Sequence, residues 1–311
     1  MNGVVPVVLG PTASGKSELG YRLALELGGE IVSADSRQIY RLMDIGTAKP
    51  PQEYRRVVPH HLLDILDPDQ PFNAFLYSQL AGEAIDSILR RGRVPVVVGG
   101  CGFYIRALLE GLVAGLPSSP RLRKRLVRFA ERRGREALHK VLLRVDPPGA
   151  ERISPRDLVR TVRALEVWLS TRRPLSQLQA EGTYSRAKFT PLKIGLEMER
   201  GMLYRFIDGR VEEMISQGLV EEVRGLLARG YSPQLNPLRS PGYGEVISYL
   251  GGELTLQEAK ELIKRRTRRY AKQQLTWFRR ERKVNWLNMA DGMEEALRRA
   301  VALYREAVEI C

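Results

Sequence analysis

The chain has 311 residues, 43% of them hydrophobic, with 50 Lys/Arg against 36 Asp/Glu for a formal net charge of +14. That is length for about two domains and ample apolar material for a packed core, so a folded globule is expected. No apolar run approaches the roughly 18 residues of a membrane span, and the first residues lack a basic-then-apolar secretion signal, so a cytoplasmic protein that meets no membrane is expected.

Val4–Leu9 reads as a strand that runs straight into Gly10-Pro11-Thr12-Ala13-Ser14-Gly15-Lys16-Ser17, a complete G-x-x-x-x-G-K-[ST] loop, followed by an amphipathic helix near 16–27. Such a loop aims backbone N–H groups and the positive end of a helix dipole at one small volume, where an oligophosphate belongs. Lys16 is then expected on the outer phosphate and the Ser17 hydroxyl on a Mg²⁺ ion. Glu30–Ala34 is a second buried strand, ending at Asp35, whose role on its own is open between metal ligand, general base and helix cap. A third apolar segment, His61–Leu66, precedes a long helix from about Asn73 to Arg91. Arg93–Val98 is another strand, ending at Gly99-Gly100.

Strands alternating with helices predict a parallel sheet flanked by helices, with ligands at the C-terminal strand ends. Gly10–Ser17, Asp35–Gln38 and Gly99–Tyr104 should therefore converge. From Leu116-Pro117 to about Phe189 the composition turns to Arg-rich helix. Arg121, Arg125, Arg128 and Arg132 share one helix face by spacing, as do Arg156, Arg160 and Arg163. The strand Lys193–Met198 returns the chain to the sheet. Helices near 200–217, 219–229, 242–250 and 255–283, a short strand at 284–287 and a helix near 292–309 complete it.

The charge is concentrated in two blocks. Residues 117–190 carry 18 Lys/Arg and 7 Asp/Glu, and residues 255–283 carry 11 and 3, which leaves the rest of the chain slightly acidic. Two basic blocks on an acidic body are the footprint of a polyanion partner. Cys101 and Cys311 are too few and too far apart for a disulfide framework or a four-ligand zinc site. His60 and His61 read as structural.

Several segments, taken together and in order, identify a family. They are the loop Gly10–Ser17, Asp35-Ser36-x-Gln38-Ile39-Tyr40, Met43–Pro50, His60–Asp64, Val98–Tyr104, Asp157-x-x-Arg160-x-x-Arg163-Ala164-Leu165-Glu166, Gly242-Tyr243 and Gln274–Phe278. Over residues 3–290 they resemble the tRNA dimethylallyltransferase (tRNA isopentenyltransferase, IPP transferase) family. The resemblance implies an α/β, P-loop NTPase-like sheet with C-terminal helices, built from residues 1–115 and 191–311, and a helical tRNA-binding insertion at 116–190. It implies transfer of a dimethylallyl group from dimethylallyl diphosphate to N6 of the adenosine 3′ to the anticodon, with Mg²⁺ as cofactor and a monomeric enzyme acting on the tRNA anticodon stem-loop. Asp35, Lys16 and Cys101 would be catalytic, with Asp35 taking the N6 proton. Gly10, Pro11, Thr12, Ala13, Ser14, Gly15, Lys16 and Ser17 would hold the diphosphate as a leaving group, and Ser17 the metal. Asp35, Ser36, Arg37, Gln38, Cys101, Arg123, Val159, Arg160, Thr161, Val162 and Arg163 would meet the tRNA.

The target base would be flipped out of its stack at a cost of a few kcal/mol. Trp277, Phe278 and the Tyr residues are expected as platforms for unpaired bases, with ordinary core packing an equal reading for Trp277 and Trp286. Two positions depart from the family pattern: Cys101 stands where Thr is usual, and Phe206 where a basic residue is common. A P-loop kinase of a small molecule or nucleotide also explains the loop and Asp35 but leaves the basic blocks idle. A nucleotide-regulated RNA-binding protein explains the charge but not the polar strand ends.

Overall fold

The computed structural model describes residues 3–113, 115–181 and 187–310. In chain order the first half of the core holds β1 (Val4–Leu9), α1 (Lys16–Glu26), β2 (Glu30–Ser33), α2 (Gln52–Val57), β3 (His60–His61), α3 (Ala74–Arg90), β4 (Pro95–Gly99) and α4 (Gly102–Glu110). Five helices follow: α5 (Pro120–Arg133), α6 (Arg135–Val145), α7 (Pro147–Glu151), α8 (Leu158–Thr171) and α9 (Leu175–Glu181). The chain then adds β5 (Thr190–Glu197), α10 (Arg200–Ser216), α11 (Leu219–Ala228), α12 (Tyr243–Leu250), α13 (Leu256–Phe278), β6 (Val284–Asn288) and α14 (Met293–Ile310). Two compact units result, Met1–Leu109 with Arg186–Cys311, and Glu110–Ser185.

In the first unit all six strands are parallel, in the order β3-β2-β4-β1-β5-β6. Every residue of β1, β2 and β4 is buried, as strands covered on both faces require. Leu19, Leu23, Ala296 and Ala300 of α1 and α14 pack against Val8, Ile31, Val96, Ile194 and Leu196 of the sheet. A separate core joins Ile39, Tyr40 and Met43 to α10, α11, α12 and α13 through Val211, Leu219, Val223, Tyr243 and Ile263. Register levels the functional strand ends: Leu9 faces Gly99, and Ser33 faces Val98. The segments that leave β1, β2 and β4 therefore start from one edge of the sheet.

The second unit is a helical cluster around Leu138, Leu142, Ala150, Val162 and Leu165. It is tied by Glu166, fully buried, which accepts from the Ser119 N–H (2.6 Å), Arg123 Nε (2.9 Å) and Arg163 Nη1 (2.6 Å).

Some expectations change in detail. Of the third apolar segment only His61 enters the sheet, together with His60 before it, because Leu62 and Asp64 adopt left-handed backbone and Leu66 makes an isolated bridge to Tyr40. The basic helix stops at Phe278, not 283. Phe278 is 1% exposed and so belongs to the core, whereas Trp286 is half-buried and packs within β6 against Gly195.

Candidate active site

The phosphate loop is preformed. Ala13 and Gly15 take left-handed conformations (φ 62° and 85°), and Gly15 opens α1 with no side-chain cap, which leaves the first-turn N–H groups of the helix facing outward. The Ser14 hydroxyl is fully buried against Gly10, with no hydrogen-bond partner among the described residues. Lys16 Nζ donates to the Pro11 carbonyl at 3.1 Å. Burial and the neighbouring Arg210 guanidinium lower its pKa to about 8, against the opposing pull of Asp35.

The loop opens on a cavity of about 410 Å³ whose wall includes Thr12, Lys16, Ser17, Asp35, Ser36, Arg37 and Gln38. Asp35 holds its own turn: Oδ1 accepts the Arg37 N–H at 2.8 Å and, more weakly, the Gln38 N–H at 3.4 Å. The Gln38 side chain is committed inside the protein, its Nε2 donating to the Thr47 and Ala48 carbonyls (3.2 and 3.1 Å) and its Oε1 accepting from Ser33 Oγ (3.3 Å). As a reader of a base, Gln38 would first have to release these partners. Arg37 reaches Asn236 at 3.4 Å on the exposed rim.

Cys101 begins the turn into α4, its N–H bonded to the Ala34 carbonyl at 3.2 Å and its thiol against the Ser36 hydroxyl. Burial pushes the thiol up to about 11, so it is a neutral S–H at physiological pH. It supports Ser36 and lies outside the residues that line the cavity. The close approach of the strand ends depends on glycine. A Cβ on Gly99 would strike the Ala34 carbonyl, and one on Gly100 would lie 2.5 Å from Gln274 Nε2.

Two helices supply residues that sequence reasoning left without a role. On α10, Ile207, Arg210, Val211 and Met214 form one face of the cavity. Arg210, four residues beyond Phe206, makes no hydrogen bond or ion pair with any described residue, and it also lines a second cleft with Phe206, Gly15, Lys16 and Ser17. On α13, Thr267, Tyr270 and Gln274 face the cavity at i, i+3, i+7 spacing. Gln274 Oε1 accepts the Thr12 N–H at 2.8 Å while its Nε2 donates to the Gly100 carbonyl at 2.9 Å, so one amide ties the phosphate loop to the end of β4. A short polar, uncharged stripe on an otherwise basic helix was the available signal. Trp277, three residues on, covers Gly102 and carries Arg106 4.8 Å above its ring.

The remaining predicted positions lie in the second unit and do not act alike. Val159 (79% exposed) and Arg160 stand on its surface. Thr161 and Val162 point inward, at 1% and 6% exposure, so their side chains are part of the helical core and not of a contact surface. Arg123 and Arg163 are bound to Glu166. Exposed basic charge is instead dense on α5, where Arg121, Lys124, Arg125, Arg128 and Arg132 have no carboxylate partner among the described residues. On α13, Lys260 and Lys264 pair with Glu212, Arg266 with Glu245 and Arg268 with Asp208. Arg265, Arg269 and Lys272 are exposed and unpaired among the described residues.

The family model for IPP transferase matches residues 38–281. The tRNA dimethylallyltransferase 2 of Geotalea uraniireducens is 51% identical over 286 residues, 92% of each chain. The solved full-length tRNA isopentenylpyrophosphate transferase of Bacillus halodurans is 37% identical with a TM-score of 0.71, covering 100% of this chain and 99% of that one. A eukaryotic dimethylallyltransferase solved acting on tRNA is 26% identical with a TM-score of 0.76, covering 92% of this chain and 74% of its own. With the phosphate loop, the aligned strand ends and a match over most of its length, the chain belongs to the IPP transferase family.

Proposed function

We propose that the protein transfers a dimethylallyl group from dimethylallyl diphosphate to N6 of the adenosine 3′ to the anticodon in tRNA, releasing diphosphate. The observation that carries this is the meeting, in one cavity, of an anion cradle with a carboxylate that makes no ion pair with any described residue. The cradle is the loop amides with Lys16 and Arg210, and the carboxylate is Asp35.

In the reaction the bond from the allylic carbon to the diphosphate oxygen breaks, and a bond from that carbon to N6 forms. Negative charge grows on the departing diphosphate, where the N–H groups of α1, the Lys16 ammonium and the Arg210 guanidinium would meet it. Donors fixed before the reaction need no reorganisation as the charge develops. The proton lost by N6 passes to Asp35, whose turn is fixed by the Arg37 N–H. Adenine N6 is a poor nucleophile, so holding it in line with the carbon counts as much as taking its proton.

Ser17 is the residue that would hold Mg²⁺. It is the second residue of α1 and lies on the cavity wall with Thr12 and Lys16, where its hydroxyl fits a cation held by phosphate oxygens. Among the described residues no group of three His, Cys, Asp or Glu side chains could hold a metal alone, so the ion would draw its other ligands from diphosphate and water. When bound it supplies further neutralisation of the leaving group. The exposed Arg of α5 and the Arg265, Arg269 and Lys272 stripe of α13 are suited to RNA phosphates. No described helix is long and apolar enough to cross a membrane.

The test is incubation with unmodified tRNA, labelled dimethylallyl diphosphate and Mg²⁺, without ATP. Label is expected in the tRNA at N6 of the adenosine beside the anticodon. No label, or phosphoryl transfer from added ATP, would overturn the reading.

A further inference from the structure

Gly46, Thr47 and Ala48 form one wall of the cavity, yet the group that shapes this loop comes from α11, 176 to 178 positions further along the chain. Glu222 Oε2 accepts the backbone N–H groups of Asp44 (2.8 Å) and Ile45 (2.7 Å). Its Oε1 accepts the Gly46 N–H (3.1 Å) and the Tyr243 hydroxyl (2.6 Å). Four donors fill the acceptor capacity of one carboxylate. Consecutive backbone N–H groups that converge in this way make an anion nest, and here a side chain of the same protein occupies it. The loop also lies flat on the buried ring of Tyr243, since a Cβ on Gly46 would enter that ring.

From this clamp a path through the loop backbone and the hydrogen bonds of Gln38 leads to Asp35. The carbonyls of Thr47 and Ala48 hold Gln38 Nε2, and the Gln38 N–H leans on Asp35 Oδ1. On its other flank the loop is pinned by the buried Lys49 ammonium, which donates to the Tyr40 carbonyl (2.6 Å), Asp44 (2.7 Å) and Asp64.

We propose that Glu222 is a positioning residue for the transfer reaction, holding the loop at 44–48 so that Gln38, and through it Asp35, stand correctly against the acceptor base. The inference rests on the reading of the cavity as the transferase site. Glu222→Gln tests it, because it keeps the shape but turns one acceptor into an NH₂ group facing N–H donors.

Without substrate, hydrogen exchange at the 44–46 amides is expected to quicken by about tenfold or more, while the sheet amides stay protected. With substrate, kcat should fall by about 10- to 100-fold and the KM for dimethylallyl diphosphate should stay within about twofold. In a Gln38→Ala background the same substitution should cost less than about threefold more, since the link is already cut, whereas with Lys272→Ala its effect should multiply in full. Unchanged exchange, unchanged kcat, or full multiplication in the Gln38→Ala background would each overturn the proposal. If Glu222→Gln does not fold, Tyr243→Phe removes one of the four donors and must show the same non-additivity with Gln38→Ala. A wild-type protein that transfers no label defeats the reading of the reaction alone, and the exchange measurement still decides whether Glu222 holds the loop.

Discussion

At the scale of single residues, the chemistry turns on a depressed lysine and on Asp35, a carboxylate with no ion pair among the described residues. The ordinary Lys16 pKa of 10.5 falls to about 8 in the folded protein. Below pH 8 the folded state therefore carries a buried charge at a cost, and stability rises with pH between about 8 and 10.5 as the folded form releases its proton first. A diphosphate in the loop reverses this by favouring the ammonium. Calorimetry of inorganic diphosphate binding near pH 8.5, in buffers of different ionisation enthalpy, should show proton uptake that Lys16→Met abolishes. Arg210→Gln should move the uptake to higher pH, because Arg210 is the charge that helps hold the lysine down. Asp35→Ala is expected to leave tRNA affinity within a few fold while lowering kcat by at least about 100-fold, the usual worth of general-base help. An active variant in a single-turnover assay would remove Asp35 from the reaction.

At the scale of elements, α13 shows why a count of charges is not yet a binding surface. The 255–283 block reads as one basic segment, but Lys260, Lys264, Arg266 and Arg268 are matched to carboxylates of neighbouring helices. Alanine at Arg265, Arg269 and Lys272 together should weaken tRNA binding and flatten its salt dependence by about 0.7 per lost phosphate contact, with little change in melting temperature. Alanine at Lys260 and Lys264 should do the opposite, lowering the melting temperature and leaving the salt slope alone. Filter binding across a salt series and thermal unfolding separate the two. The strands, the loop and α1 were legible in the sequence because each is local: an apolar run, a glycine-rich turn, a helical period. Arg210, Gln274 and Glu222 were not, because each acts on a segment distant in sequence. Gln274 meets Thr12 from 262 positions away, and no spacing rule reaches that far.

At the scale of the whole molecule, the two units rest on different physics. The sheet unit is held by strands buried on both faces, whereas residues 110–185 form a small helical cluster in which the fully buried Glu166 joins three donors. Burial pushes the Glu166 carboxyl up, but the Ser119 N–H and the two arginines outweigh it and hold it below its ordinary 4.5. Its contribution is therefore present above about pH 4.5 and lost as pH falls through the lower folded value. Glu166→Ala should loosen the helical unit by about 1–3 kcal/mol, the cost of leaving the Ser119 N–H unpaired while the two partly exposed arginines turn to water. Limited proteolysis should then cut within 116–170 at unchanged melting of the sheet. The Asp157 to Glu166 pattern is visible in the sequence, but its two inward positions, Thr161 and Val162, are distinguished from its outward ones only by the folded helix.

The route of the backbone has one more consequence. β4 and β5 are hydrogen-bonded to β1 on its two sides, and everything from 110 to 185 is spent between leaving one and joining the other. That stretch is a detour within a single crossover, so lengthening, trimming or exchanging it leaves both ladders in register. Inheritance can therefore rewrite this stretch without touching the strand ends that carry Asp35 and the phosphate loop.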